Sequence, residues 1–238
     1  MNHPSDLLKG IEAITFDAAG TLIVPHPSVG EVYAETAKSF GYSLEPEILE
    51  NRFRHVFKAL KAENPAALLD QVRWKQIVFQ TFSGLTAEAD MEPIFRELWR
   101  SFSSPDRWKI LPGIVDTLSK LQSRGLPIYL FSNNDERLHS VLEGIGLAKY
   151  FHAVFLSVEL GAEKPAQEAF SQVEIAINQP AGSILHVGDS PYEDIQGANQ
   201  AGWRSALVGP KGARQSPPLP DFSAQNVPEL FLFFVEQK

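Results

Sequence analysis

Apolar and polar positions along this chain follow two rhythms, with a long helical stretch set between β-like runs. From residue 30 the apolar positions fall three and four apart. Val32, Tyr33, Thr36, Ala37 and Phe40 share one face, and Gly41 suits a helix stop. Residues 44–60 continue with Ile48, Phe53, Val56, Phe57 and Leu60, and residues 66–82 with Leu68, Leu69, Val72, Ile77, Val78 and Phe79. A fourth amphipathic segment spans 87–102. Residues 28–104 hold no strand candidate, so the pattern predicts four helices packed as a small bundle. The aromatic residues there read as its core.

On either side the rhythm is different. After a polar lead-in over 1–10, residues 11–16 form a short apolar run of β type, and 22–27 leave it through two prolines and a histidine. Beyond Trp108 the chain predicts a helix over 114–124, introduced by Leu111-Pro112-Gly113 and ended by Gly125. Strands over 127–131, 153–157, 183–187 and 204–208 then alternate with helices over 135–144, 165–177 and 192–201. Residues 210–220 read as a loop, and 227–235 as a closing helix. Alternating strands and helices indicate βαβ units. The expected fold class is α/β: a Rossmann-like parallel sheet core with helices on both faces and an inserted helical-bundle cap. The core would comprise 1–25 and 105–238 and the cap 26–104. An insertion directly after the first strand hangs over that strand's C-terminal end, where it can act as a lid.

Composition narrows the function. The 238 residues are 44% hydrophobic and 21% charged, an ordinary globular balance. A net charge of -8 argues against nucleic acid and anionic membrane as partners, while leaving room for a small anionic substrate in a locally positive pocket. With no cysteine, thiolate nucleophiles, disulfides and Cys-ligated zinc are excluded. No apolar run approaches the roughly 18 residues of a membrane span. The first residues lack the basic and apolar regions of a signal peptide, so the expected location is cytoplasmic.

The chemistry gathers at predicted strand ends. The first strand stops at Asp17-Ala18-Ala19-Gly20-Thr21, which delivers Asp17 to the edge where α/β sheets bind ligands. After the second come Ser132 and Asn133, whose hydroxyl and amide can donate to an anionic oxygen, although both are also ordinary helix caps. Lys164 precedes Pro165, expected at the first position of a helix, so its charge and the helix end could face one anion. His186-Val187-Gly188-Asp189 ends another strand, with Asp194 five residues on. Two strand-end carboxylates without soft ligands suit a hard cation, and Mg²⁺ fits best. Asp194 reads as a supporting partner near a helix start, or as a charge pair at the helix terminus.

These four motifs, in this order, resemble those of the haloacid dehalogenase superfamily of hydrolases, and the resemblance covers nearly the whole chain. Asp17-x-x-Gly-Thr is similar to the first motif, Ser132 to the second, Lys164 to the third, and Gly188-Asp189 with Asp194 to the fourth. The insertion resembles the helical cap. Details such as His26-Pro27-x-x-Gly30-Glu31-x-Tyr33 and Ser132-Asn133-x-Asp135-x-x-Leu138 are similar to one branch of the superfamily. The resemblance implies that Asp17 attacks phosphorus and forms an aspartyl-phosphate that water cleaves. It implies Mg²⁺ held by Asp17, the backbone carbonyl of Ala19 and Asp189. Lys164 would neutralise Asp17 and hold a phosphoryl oxygen, with Ser132, the amide of Asn133 and Thr21 donating to the others. The partner is then a small phosphorylated or otherwise anionic substrate.

One position departs from the pattern. Phosphatases of the superfamily usually carry a second Asp two residues after the nucleophile, as general acid and base; here it is Ala19. Such help is typically worth about 10²–10⁴-fold. The expectations are therefore a weakened or selective phosphohydrolase, with His26 the nearest replacement acid by sequence. The alternatives are phosphonatase chemistry needing a cap lysine (Lys38, Lys58, Lys61 or Lys75), dehalogenase chemistry on the same nucleophile, or a non-catalytic phosphate-ligand-binding protein. Retention of Asp17, Lys164 and Asp189 argues against the last, because such charges are costly to keep without a ligand.

Overall fold

The computed structural model describes residues 7–65, 67–209 and 217–235. Six strands form one parallel sheet: β1 (Ala13–Phe16), β4 (Ile128–Ser132), β5 (Ala153–Leu156), β6 (Ile184–Gly188), β7 (Arg204–Val208) and β8 (Phe222–Ala224). Their spatial order is β5-β4-β1-β6-β7-β8. The chain builds outward from β1 through β4 to β5, then returns to pair β6 on the other side of β1. That reversal places a crevice at the C-terminal ends of β1, β4 and β6, where a ligand is expected to bind.

Period-two alternation divides the strand residues between two layers. Ile14, Phe16, Leu130, Leu185 and Val187 face a core completed by α5 (Ile114–Ser123), α6 (Arg137–Gly144) and α10 (Val227–Val235). Ala13, Phe131 and Ile184 face the opposite layer, built by α8 (Gln167–Ile177) and α9 (Gly197–Gln200). A one-turn helix, α7 (Ser157–Leu160), follows β5, and a π-helical turn, Pro191–Gln196, runs directly into α9. The expected α/β sheet with helices on both faces is present. No described helix is long and apolar enough to cross a membrane.

Between β1 and β4 lie the four expected helices: α1 (Val29–Ser39), α2 (Pro46–Glu63), α3 (Gln71–Phe82) and α4 (Glu88–Ser101). Ser28 caps α1 and Asp70 caps α3, each accepting from the backbone N–H three residues on. The helices have an apolar cluster of their own around Val32, Tyr33, Leu49, Phe82, Ile94 and Phe95. Gly30 lets α1 and α2 touch: a Cβ there would lie 2.2 Å from the Pro46 carbonyl oxygen.

Several details differ from the sequence-based expectation. Two three-residue strands, β2 (Ile23–Pro25) and β3 (Trp108–Ile110), form an antiparallel ribbon that carries the chain into and out of the helices. They are too short for a period, and their partners lie far apart in the chain. β8 falls between the expected loop over 210–220 and the closing helix, where no element is expected, and α7 begins at Ser157, the last residue of the expected strand over 153–157. The expected lead-in is anchored, since Leu7 is buried in the sheet core. α8 begins at Gln167, not Pro165; Ala166 is still extended and acts as the cap residue. Residues 210–216 of the expected loop lie outside the described residues.

Candidate active site

Asp17 leaves β1 at the crevice, and Ser132 is the last residue of β4. The Ser132 hydroxyl donates to Asp17 Oδ1 at 3.0 Å, and Lys164 Nζ donates to the same oxygen at 3.0 Å. Lys164 is only 1% exposed, and its ammonium points at Asp17. Its ammonium also donates to Asp194 Oδ1 at 2.6 Å and to the Phe131 carbonyl at 2.8 Å. Burial alone would lower the Lys164 pKa, but Asp17 and Asp194 outweigh it and hold the ammonium charged.

The two carboxylates sharing this ammonium behave differently. Burial raises Asp17; Lys164 opposes and Asp194 adds, and the net effect is upward. Burial would also raise Asp194, but Lys164 and His186 pull it well below the usual carboxylate range. The shorter ion pair belongs to Asp194, so Asp17 keeps more of its affinity for an incoming electrophile.

Asp194 is saturated. Beyond Lys164, its Oδ1 lies 3.0 Å from His186 Nε2, and its Oδ2 accepts from the Ser190 backbone N–H at 2.9 Å. Thr15, the cross-strand partner of His186, places its hydroxyl 2.8 Å from Nδ1. Burial and then Lys164 lower the His186 pKa, leaving a neutral ring with its proton on Nε2, toward Asp194. This agrees with the supporting role expected for Asp194. His186 itself was not singled out, although it lies two residues from Gly188 on the same face of β6.

Asp189 completes the edge. Oxygens of Asp17, Asp189 and Asp194 lie within 4.8 Å of one another. Gly20 adopts φ +90°, and a Cβ on it would come within 2.5 Å of Asp189 Oδ2, so only glycine lets the loop close over that carboxylate. Although Asp189 keeps one side open to solvent, the surrounding protein, then Asp17 and Asp194, push its carboxyl up to about 7. Three carboxylates facing one ammonium leave excess negative charge, and their hard oxygens suit Mg²⁺. With Asp194 saturated, Asp17 and Asp189 are the two available carboxylates.

Two expected substrate contacts are engaged elsewhere. Thr21 is buried and its hydroxyl turns toward Asp189 Oδ1, at 3.4 Å. The Asn133 side chain clasps the Lys164 backbone, donating to its carbonyl and accepting from its N–H, both at 2.8 Å. That clasp fixes the lysine's position.

Beside this edge, between the four helices and the core, is a cavity of about 280 Å³. Ala19 opens on it, as do Tyr33, Trp74 and Trp99 from the helices and Trp108, Asn134 and Arg137 from the core. His26 is exposed and does not line it. Of the four lysines considered, none does. Lys75 pairs with Glu92, and Lys61 bridges Glu163 at 3.1 Å and Glu193 at 2.5 Å. Each glutamate precedes a residue of the buried network, so Lys61 ties α2 to the site's edge. Sequence reasoning missed this bridge, the only signal being an acid adjacent to each motif residue.

The sequence profile of the haloacid dehalogenase-like hydrolases matches residues 11–202. The chain belongs to that family. The haloacid dehalogenase-like hydrolase domain-containing protein 3 of Homo sapiens is 34% identical over 205 residues, covering 83% of this chain and 82% of that protein. Among solved structures, the HAD-hydrolase YfnB from Bacillus subtilis, bound to magnesium, superposes with a TM-score of 0.75 at 21% identity, covering 94% of this chain and 98% of that one. L-2-haloacid dehalogenase from Xanthobacter autotrophicus gives 0.71 at 19% identity, covering 96% and 100%. The protein is therefore a haloacid dehalogenase-like hydrolase, and the solved neighbours establish the fold alone.

Proposed function

We propose that this haloacid dehalogenase-like hydrolase is a phosphohydrolase that works through an aspartyl-phosphate on Asp17. The observation that carries the reading is the placement of one Asp17 oxygen between Ser132 and Lys164 while Asp189 stands beside it. The first two hold the nucleophile in one rotamer. Asp17, the Ala19 carbonyl and Asp189 would hold Mg²⁺, which when bound offsets the charge of phosphate beside carboxylate. Lys164 would offset part of the negative charge on Asp17, Asp194 and the transferring group. The backbone N–H of Asn133 remains for the substrate, since the side chain is engaged. Residues 26–104 would act as a cap over the core formed by 1–25 and 105–238, excluding water from the site.

A pair of carboxylates placed to hold a divalent cation supports phosphoryl transfer over dehalogenation. The phosphonatase alternative loses support because Lys38 and Lys58 are exposed and Lys61 and Lys75 are engaged in ion pairs. His26 loses its place as replacement acid, because it stands outside the cavity. The test is hydrolysis of acetyl phosphate with Mg²⁺ and with chelator, followed by acid quench and mass spectrometry. A phosphoryl adduct on Asp17, absent in Asp17→Asn, is the expected result. Undiminished turnover in excess chelator, or in Asp17→Asn, contradicts the reading.

A further inference from the structure

Two independent features of the cavity beside Ala19 point to one class of substrate. The first is its wall. Tyr33, Phe53, Trp74, Phe95 and Trp99 converge from all four inserted helices. The polar groups facing it are largely taken. Arg137 gives Nε and a terminal nitrogen to the two oxygens of the fully buried Asp135, both at 2.7 Å, and its guanidinium lies 3.5 Å from the Trp99 ring centre. That pair cancels in charge. Asn133 is clasped to Lys164, and Asn134 accepts from the Asp135 N–H. Among the described residues, no side chain lining the cavity carries an unpaired charge.

Two polar groups at the wall are left over. The indole Nε1 of Trp74 is buried with no hydrogen-bond partner among the described residues, and Tyr33, 2% exposed, also lines the cavity. A polyhydroxylated occupant would give up many hydrogen bonds to water for a wall that offers one indole N–H and one phenolic hydroxyl in return. A flat uncharged ring would stack against aromatic faces, and an acceptor substituent on it would satisfy the Trp74 N–H. The volume, about 280 Å³, is close to the lower end of the ~300–1,000 Å³ range of small-molecule sites.

The second feature is Ala19 at the same wall. No acid stands there to protonate a departing alkoxide, and neither His26 nor a lysine replaces it. A phenolic oxygen, with a pKa near 10, departs as its anion far more readily than an alkoxide. The chemistry of the leaving group and the shape of its seat thus agree.

We infer that the substrate is a monophosphate ester of a small uncharged aryl alcohol, its ring seated among Tyr33, Trp74 and Trp99; this rests on the phosphohydrolase reading. An Asp17 oxygen bonds to phosphorus while the bond from phosphorus to the aryl oxygen breaks. The electron pair leaves on that oxygen, and the aryloxide takes its proton from solvent. Water then bonds to phosphorus as the phosphorus–Asp17 bond breaks, restoring the carboxylate and releasing inorganic phosphate.

Three of the four tryptophans, Trp74, Trp99 and Trp108, line the cavity, so intrinsic fluorescence reads its occupancy directly. Titrating 1-naphthol, which carries no phosphate, into the full chain is expected to quench that fluorescence. Val29→Phe, whose ring would fill the cavity, should weaken the quench at least tenfold. With Mg²⁺, kcat/KM for 1-naphthyl phosphate should exceed that for ribose 5-phosphate at least 100-fold. In Val29→Phe the ratio of naphthyl to acetyl phosphate turnover should fall at least tenfold, mainly through KM. Turnover of ribose 5-phosphate or acetyl phosphate without 1-naphthol binding or aryl preference overturns the inference and leaves the phosphohydrolase reading standing. Specific 1-naphthol binding with no turnover of any phosphate overturns that reading and keeps the ring site. Neither binding nor turnover overturns both.

Discussion

The sheet edge and the cavity meet at Ala19, yet they are built on opposite principles. At the edge, charged side chains hold one another: Lys164 has two carboxylates and a carbonyl, and Asp194 accepts at both oxygens. In the cavity the buried indole Nε1 of Trp74 has no hydrogen-bond partner among the described residues. The edge supplies partners for its own charged groups, whereas the cavity leaves a buried polar atom unsatisfied.

The sharpest way to break this contrast is at the edge. Asp17→Asn should abolish turnover by ~10⁴-fold or more while the protein stays folded, because the proposed mechanism forms its covalent intermediate on Asp17. Steady-state kinetics with circular dichroism checks both halves. A residual rate within tenfold of wild type would place the nucleophile elsewhere.

Lys164→Ala should be the most destabilising change at the edge, by ~3–5 kcal/mol, because it strands Asp17 and Asp194 with no cation. Urea denaturation reads this. A loss under about 1 kcal/mol would mean the network relaxes freely.

Ala19→Asp joins the two regions by placing a carboxylate at the cavity wall. It should raise turnover of an alkyl phosphate by ~10–100-fold, and that of an aryl phosphate much less, because an alkoxide needs the proton more. Parallel kinetics on both esters, with metal affinity measured alongside, gives the informative ratio. Equal gains would show that hydrolysis of the intermediate, not departure of the leaving group, sets the rate.

The smallest expected effect concerns Asp189. Its folded pKa of about 7 lies above the ordinary 3.8, so its contribution to stability is full below about 3.8 and is lost as pH rises through about 7. At pH 8 without metal, Asp189→Asn should therefore raise Tm by ~2–4 °C. Added Mg²⁺ should stabilise the wild type and leave the variant unmoved. Thermal melts at pH 5 and pH 8 would expose an error if the variant gains equally at both.

Much of this was legible in the chain because the relevant signals are local. The 3.6-residue rhythm of α1 to α4, the apolar runs of β1, β4 and β6, and an acid or hydroxyl at each strand end need only neighbouring residues to be read. So does the substitution at Ala19, which is visible without any coordinates. What the sequence by itself determined is therefore the α/β core, the inserted helices and the set of groups brought to one sheet edge. Only the tertiary structure decided how those groups divide their charges. Lys164 was expected beside Asp17, but that it is shared with Asp194 and the Phe131 carbonyl shows only in the packed site. His186 looked like one residue in an apolar strand until Thr15 and Asp194 met its two nitrogens across that strand. The β2–β3 ribbon pairs Pro25 with Trp108, and the Lys61 bridge joins α2 to Glu163 and Glu193. The cavity gathers side chains from four helices and the core. Pairings over such separations depend on where the packed layers bring the chain, and no local rhythm encodes that.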